Sequence, residues 1–379
     1  NPPYMGSSSF SPFMSKWVKK NYPDVKSDLC TCFIERGFAL AINRGYAAMV
    51  TMQSWMFLGS FEKMRAALID NKTIVSMVHL GPRAFDAIGG EVVNVTADVI
   101  YNGHACLNGA YVRLVDTNGS EVKRQKLLEA IKNPDCGWFY RRDADTFKQI
   151  PGTPIAYWAS DALLDAFVAG TPLNGIGRSS KGIITGNNTL FIRQWWECSL
   201  GDICLDADSV DALFSGKRWF PCTKGGQFRK WYGNVDSVVD WRDNGVAASE
   251  SALKLGNHVQ NYSDQLKFQP SFTWSAITSS VPSFRYANHC LSEHAGMCEF
   301  VPTNLVYLLM GLVNSSVGTA YFGLVSPTLN VNAGDLDKFP VLLNSSIPTS
   351  KYAERSVFLS RNDWDSFETS WDFKRHPLV

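Results

Sequence analysis

Apolar positions recur along this chain in two rhythms, and the change between them predicts its organisation. From Asp28 to about Ile42 the apolar residues include Leu29, Phe33, Phe38 and Leu40, which suits a helix with the Asp28 carboxylate capping its first turn. A shorter helix is expected at Pro12 to Lys20, inside a Ser-, Pro-, Gly- and Lys-rich stretch (residues 5–27) that otherwise reads as a mobile loop. Gly45-Tyr46 leads into Ala47 to Thr51, a short apolar run expected as a buried strand, and Ser60 is placed to cap a helix from Phe61 to Ile69. Ile74 to Leu80 reads as another strand, and Glu91 to Tyr101 alternates Val93, Val95, Ala97 and Val99 as a strand does. Ala110 to Val115 is expected as the antiparallel partner of that strand, across a loop opened by Asn102-Gly103 and closed by Asn108-Gly109. Helix, strand, helix, strand and hairpin in this order predict the second half of a doubly wound α/β sheet.

Beyond Asp116 the rhythm weakens. Lys123 to Lys132 reads as a helix and Phe147 to Pro154 as a polar connection. From Ile155 to Leu343 aromatics, glycines and short strand-like runs predominate, without an internal repeat, and from Asn344 the chain turns polar. The expected divisions are residues 1–116, a connector 117–154, a second region of α+β character at 155–343, and the start of a further region at 344–379.

Composition adds little and excludes little. Hydrophobic residues make up 45% and charged residues 19% of the 379, as in ordinary globular proteins. No apolar run reaches the length of a membrane span; the longest, Asn304 to Val325, is broken by Gly311, Asn314, Ser315, Ser316 and Gly318. A cytoplasmic protein without membrane contact is the expectation. The nine cysteines include no C-x-x-C pair. His289, Cys290, His294 and Cys298 form a loose cluster whose spacing matches no standard zinc pattern, so reduced, mostly buried thiols are the simpler reading and no metal is expected. The net charge of +1 means that any nucleic-acid contact must come from local patches. Three stretches qualify. Arg178 to Trp196 carries Lys181, Asn187 and Arg193; Lys217 to Tyr232 carries Lys217, Arg218, Lys224, Arg229 and Lys230; Thr273 to Tyr286 carries Ser279, Ser280 and Arg285. Cations interleaved with glycine suit phosphate contacts, and Arg and Asn also suit base edges. The competing reading is a Trp-rich core ringed by solvated charges.

The sharpest chemistry lies in Asn1-Pro2-Pro3-Tyr4. The 6-amino group of adenine is a poor nucleophile because its lone pair is delocalised into the ring. The Asn1 side-chain oxygen can accept one amine hydrogen and the Pro2 carbonyl the other. Pro3 offers no competing N–H and the two prolines hold that carbonyl in place. Two converging acceptors localise the lone pair and stabilise the positive charge that develops on methyl transfer. Tyr4 offers a face on which an extruded base can stack. The alternative is a Pro-rich turn with an incidental aromatic. No glycine-rich strand–turn–helix follows; the only G-x-G, Gly175-Ile176-Gly177, reads as a loop.

Longer runs carry a family resemblance. Asn1-Pro2-Pro3-Tyr4-Met5-Gly6, Gly45-Tyr46-Ala47-Ala48-Met49-Val50-Thr51-Met52-Gln53-Ser54-Trp55, His79-Leu80-Gly81 and Phe85-Asp86-Ala87-Ile88-Gly89-Gly90-Glu91 resemble the adenine-specific DNA methyltransferases of BREX phage-defence systems. So do Pro154-Ile155-Ala156-Tyr157-Trp158, Lys224-Gly225-Gly226-Gln227-Phe228-Arg229-Lys230-Trp231-Tyr232 and Asp363-Trp364-Asp365-Ser366-Phe367-Glu368. The resemblance covers nearly the whole chain. It implies the C-terminal half of a Rossmann-like methyltransferase sheet followed by a target-recognition domain, with Tyr307 to Asn314 and Gly334 to Pro340 as that domain's closing helix and strand. It implies S-adenosylmethionine as methyl donor, with the glycine motif that binds it upstream of Asn1, and Phe85 as a second stacking aromatic opposite Tyr4. The implied partners are double-stranded DNA, the N-terminal half of the same protein and other components of the defence system. Methylation in such systems marks self DNA. A piece lacking the cofactor motif is expected to have little activity alone.

Three other functions fit parts of the pattern: a restriction–methylation fusion, a methyltransferase acting on RNA or on a protein glutamine, and a DNA-recognition module without catalysis. The long aromatic region after Ile155 argues against the RNA and protein enzymes, which usually end soon after the sheet.

Overall fold

The computed structural model describes residues 1–85, 93–278, 281–326, 330–343, 348–376 and residue 378, and the chain forms two compact units, Asn1–Val168 and Ala169–Val379. The expected strand positions at Glu91 and Val92, the run 86–92 of the family resemblance, and Ser279 and Ser280 lie outside the described residues.

In the first unit, α1 (Pro12–Asn21) starts on the Ser11 hydroxyl, which accepts from the Met14 N–H at 3.2 Å. Helix α2 (Leu29–Leu40) starts on Asp28, whose carboxylate accepts from the Cys30 N–H at 2.9 Å, as its cap position predicts. Strand β1 (Tyr46–Met52), α3 (Glu62–Asn71) and β2 (Thr73–Gly81) follow, then β3 (Val95–Tyr101), β4 (Asn108–Arg113), α4 (Ser120–Lys132) and β5 (Phe139–Asp143). Ser60 lies in a 3-10 turn instead of capping α3, which begins at Glu62 with no side-chain cap.

These strands make one mixed sheet in the order β1-β3-β2-β4-β5. Strand β3 is antiparallel to both β1 and β2, so β1 and β2 run parallel and α3 is the crossover between them. The expected 91–101 with 110–115 hairpin does not form: β4 pairs parallel with β2 and antiparallel with β5. Asn102 explains the difference. Its side-chain amide donates to the carbonyls of Phe38, Ala41 and Ile42 at 3.1–3.2 Å, so it closes the end of α2 instead of making a tight turn. The chain then crosses β2, where a side chain at Gly109 would meet the Ile74 carbonyl at 2.6 Å. Strand β1, expected to be buried, is the half-exposed edge of this sheet.

One sheet face packs Met77, Ile100 and Tyr111 against Trp55, Phe61, Met64, Leu68, Phe147 and Tyr157; the expected polar connection at 147–154 therefore contributes Phe147 and Ile150 to the interior. The other face places Val112 and Leu114 under Ala130 of α4.

Helix α5 (Asp161–Ala169) leads into the second unit, whose strands are β6 (Thr171–Pro172) and β7 (Arg178–Ser180), then after α6 (Asn188–Phe191) β8 (Ile192–Gln194), β9 (Trp219–Thr223) and β10 (Ser237–Asp240). After α7 (Val246–Leu255) come β11 (Ser271–Trp274), β12 (Phe284–Ala287), β13 (Leu291–Ser292) and β14 (Cys298–Phe300). The chain closes with α8 (Val306–Asn314), α9 (Ser316–Val325), α10 (Ala333–Leu336), β15 (Pro340–Val341) and α11 (Thr349–Trp364). Two four-stranded sheets, β13-β9-β10-β8 and β12-β11-β14-β7, carry the unit, with a small β15-β6 pair. The expected helix at 307–314 is α8, whereas the expected strand at 334–340 begins as the helical turn α10. The polar tail after 344 contains α11, which lies close on α8 because Gly311 leaves room for Thr349 and Ala353. The apolar stretch from 304 to 325 folds as a helix pair bent by 73°, and no single described helix is long and apolar enough to cross a membrane.

Candidate active site

The opening tetrapeptide lies at the surface of the first unit, beside β1. Asn1 and Pro3 are exposed, Pro2 and Tyr4 half-buried. The Tyr4 hydroxyl donates to Asn1 Oδ1 at 2.7 Å, and the Val50 carbonyl on β1 lies 3.4 Å away as a weaker acceptor. Burial pushes the Tyr4 phenol pKa up, with a smaller contribution from Cys30. The segment that follows is tied to the start of α2: Leu29 N–H donates to the Met5 carbonyl and Ser7 N–H to the Ser27 carbonyl, both at 2.9 Å. Burial, helped by the Asp28 carboxylate, pushes the Cys30 thiol up to about 12. The loop is thus held by a helix start and by β1.

Strands β1 and β2 run parallel, so their carboxyl ends share one edge of the sheet. Ligands of open α/β sheets bind at such edges. Phe85 stands half-buried just beyond the end of β2, after a turn at Gly81 (φ +66°), where a side chain would meet the Val115 Cα at 2.8 Å. No ring contact joins Phe85 to Tyr4 among the described residues.

Two polar devices stiffen this edge, and sequence reasoning missed both. His79, 3% exposed, shares hydrogen bonds through Nδ1 with the Tyr157 hydroxyl at 3.1 Å and through Nε2 with Gln53 Oε1 at 2.7 Å. Burial, helped by Arg113 and Lys123, holds its pKa down to about 3. The neutral ring then donates from Nε2 and accepts at Nδ1. Arg65, fully buried, donates to the carbonyls of Trp55 (2.8 Å), Leu58 (2.7 Å) and Thr153 (3.1 Å), which fixes the turn after β1. Asp98 on β3 lies in the interior with an unpartnered oxygen, and burial raises its pKa to about 7.

In the second unit the eight expected DNA-contacting residues divide by occupation. Lys230 Nζ donates to the Asn314 carbonyl at 2.7 Å and so closes α8. Asn187 caps α6, accepting from Leu190 N–H at 3.2 Å. Arg193 donates to the Thr189 and Ile192 carbonyls, and Lys217 to the Gly201 carbonyl. Arg218 pairs with Asp240 at 2.9 Å and stacks on Trp219; Arg229 pairs with Asp363 at 3.0 Å and stacks on Trp364. Lys181 and Lys224 are exposed, without a protein partner among the described residues, and both line an open cleft of about 530 Å³. Gly177 packs against the Glu299 carboxylate and the Phe300 carbonyl, so the Gly175-Ile176-Gly177 run has no room to cradle a cofactor.

Comparisons with known proteins agree with the motif. The family described as Eco57I restriction-modification methylase matches residues 1–85. The chain is 37% identical over 385 residues to the adenine-specific methyltransferase PglX of Lacticaseibacillus casei (strain Zhang), covering 100% of this chain and 32% of that protein. It is 38% identical over 387 residues to the adenine-specific methyltransferase BrxX of Escherichia coli O9:H4 (strain HS), covering 100% of this chain and 30% of that one. The chain therefore spans about a third of the length of the curated relatives it matches. Its fold is similar to that of the Type IIL restriction-modification enzyme MmeI, solved in complex with DNA, at 12% identity with a TM-score of 0.63 over 98% of this chain and 50% of that one. It is also similar to a nuclease-deletion mutant of the Type ISP restriction-modification enzyme LlaGI, solved with a DNA substrate mimic (14% identity, TM-score 0.52, 97% of this chain and 41% of that one).

Proposed function

We propose that this chain, similar over its whole length to the PglX and BrxX methyltransferases, carries the amine-holding half of a site-specific DNA adenine methyltransferase and the domain that reads its target. The observation that carries this reading is the surface position of Asn1-Pro2-Pro3-Tyr4, held by α2 and by β1 near the carboxyl edge of a mixed sheet. Asn1 Oδ1 has a second lone pair beyond the one engaged by Tyr4, and it accepts one hydrogen of the adenine 6-amino group. The Pro2 carbonyl accepts the other. The face of Tyr4, with Phe85 on the opposite side, sandwiches the flipped base. S-adenosylmethionine supplies the methyl group in this reading. The chain's own residues localise the amine lone pair and stabilise the charge that forms on nitrogen. Lys181 and Lys224 belong to the DNA-facing surface of the second unit, and the mark left on host DNA serves to tell self from phage.

The experiment is methyl transfer from labelled S-adenosylmethionine to host-type DNA by the full-length protein, with the Asn1→Ala and Tyr4→Ala variants beside it. Loss of N6-methyladenine in both variants, with DNA affinity retained, is the expected result. Undiminished methylation by Asn1→Ala would remove the basis of the reading.

A further inference from the structure

The segment that leaves β9, Lys224 to Phe228, turns on two positive-φ glycines. Gly225 and Gly226 have φ of +80° and +122°, and a side chain at Gly225 would meet the Ala295 carbonyl at 2.7 Å, so only glycine fits this path. Two loop carbonyls are tied down by side chains. Ser275 Oγ donates to the Gly226 carbonyl at 3.0 Å, and Asn234 Nδ2 to the Gln227 carbonyl at 2.9 Å. A side chain at the buried Gly296 would meet the nitrogens of Gly225 and Lys224 at 2.7 and 2.8 Å, so those two lie against it, whereas the exposed Gly226, Gln227 and Phe228 have backbone N–H groups that meet no protein acceptor among the described residues. The loop separates two open clefts of about 520 and 530 Å³, the first bordered by Gln194 and Arg229, the second by Lys181 and His294.

A second observation lies behind the loop. Arg285 on β12 is 1% exposed, yet no carboxylate pairs with it among the described residues. Among the described residues its guanidinium reaches the Arg229 carbonyl and Ser275 Oγ, each at 3.5 Å, and its Nε has no partner. Ser275 is the residue that anchors the Gly226 carbonyl. An uncompensated buried cation is costly, and an anion held on the loop's outer side would offset that cost.

We propose that the Lys224–Phe228 loop is a cradle for a backbone phosphate of duplex DNA, formed by the N–H groups of Gly226, Gln227 and Phe228 and by the side chains of Lys224 and Lys181, with Arg285 supplying positive potential from behind. This assignment rests on the DNA-binding part of the proposed function. Consecutive N–H groups around left-handed glycines form concave anion sites, and the absence of acceptors among them matches a phosphodiester and not a base edge, where donors and acceptors alternate. The cradle fixes register on the duplex. It carries no sequence preference.

The test measures duplex binding by the full-length protein across a salt series. Lys181→Ala/Lys224→Ala should lower the slope of log affinity against log salt by about one, the share of a single phosphate, and Lys224→Ala by part of that. Lys217→Ala/Arg218→Ala, whose charges are already engaged, should leave the slope unchanged. Arg285→Met should weaken binding about tenfold without lowering the thermal midpoint, since it removes an unpaired buried charge. If Arg285→Met does not fold, the lysine variants decide alone. Duplex binding with an unchanged slope in the double lysine variant overturns the cradle and leaves the methyltransferase reading standing. A wild-type protein that ignores duplex DNA, yet is stabilised by inorganic phosphate through Lys224, overturns the assignment to DNA and the DNA-binding reading with it.

Discussion

The Tyr4 phenol and the Asn1 amide form a closed pair: the hydroxyl donates across 2.7 Å to the oxygen that the proposed chemistry needs as an acceptor. The bond orients the Asn1 side chain, because an amide whose oxygen is engaged cannot flip to present its NH2 group. Tyr4 therefore has two separable contributions, its ring and its hydroxyl. In the full-length protein, Tyr4→Phe should keep the ring and reduce methyl transfer only about fivefold, the worth of one neutral hydrogen bond. Tyr4→Ala should lose far more, and Asn1→Ala about 10²–10³ in kcat, as when a transition-state hydrogen-bonding group is removed. Single-turnover methyl incorporation checks all three; equal losses for Tyr4→Phe and Tyr4→Ala would show that the ring face does not matter.

Asp98 gives the fold a pH dependence of definite sign. Its folded pKa, about 7, lies above the ordinary carboxylate value because burial disfavours the charge. The unfolded chain therefore ionises first, and the group lowers stability progressively as pH rises from about 4 to about 7, with no further change above. Asp98→Asn should be more stable than wild type at pH 8 by a few kcal/mol and equal to it near pH 4. Urea unfolding at both pH values measures the difference.

His79 works in the opposite direction. Its folded pKa of about 3 lies below the ordinary value, so the unfolded chain binds the proton first and stability falls as pH drops below about 6.5. Between about pH 4 and 6.5 the two groups oppose each other, and the wild-type profile should be flatter than that of either single variant. His79→Phe leaves the Tyr157 hydroxyl and the Gln53 oxygen without their partner and should cost about 1–3 kcal/mol at neutral pH. In the wild type, the His79 ring resonances should not titrate between pH 5 and 8, which NMR can follow.

Lys230 separates structural from DNA-facing charge. Its ammonium closes α8 through the Asn314 carbonyl. Lys230→Ala should lower stability by about 1 kcal/mol and leave the salt slope of DNA binding unchanged. A loss of slope equal to that of Lys224→Ala would place Lys230 on the DNA.

What could be read from the chain alone was what its local chemistry determines. Asp28 and the periodicity after it gave α2, and the proposed amine-holding chemistry lies in four consecutive residues, Asn1-Pro2-Pro3-Tyr4. The path of β3 to β4 was not legible because Asn102-Gly103 serves equally as a tight turn or as the closure of a distant helix, and only α2's position selects the second. Strand β5 was hidden because Arg141 and Arg142 interrupt its apolar pattern; the Arg142 terminal nitrogens are held by Asp161 and the Ala159 carbonyl, each at 2.6 Å. The His79 network joins residues 26 and 78 positions apart, beyond the reach of any periodicity. Among the basic residues, the charge was evident but its engagement was not. Lys224 and Lys230 look alike in sequence, and only the fold sets one against a helix end and leaves the other without a partner among the described residues.

The Arg229 side chain, ion-paired to Asp363 and lying 5.1 Å over Trp364, fastens the exit of the glycine loop to the far end of α11, 134 residues along the chain. Fraying of that helix must release the arginine before it can proceed. The amides of both segments should therefore exchange with solvent hydrogen through one shared opening event, so that whatever loosens the final helix also slackens the loop's grip.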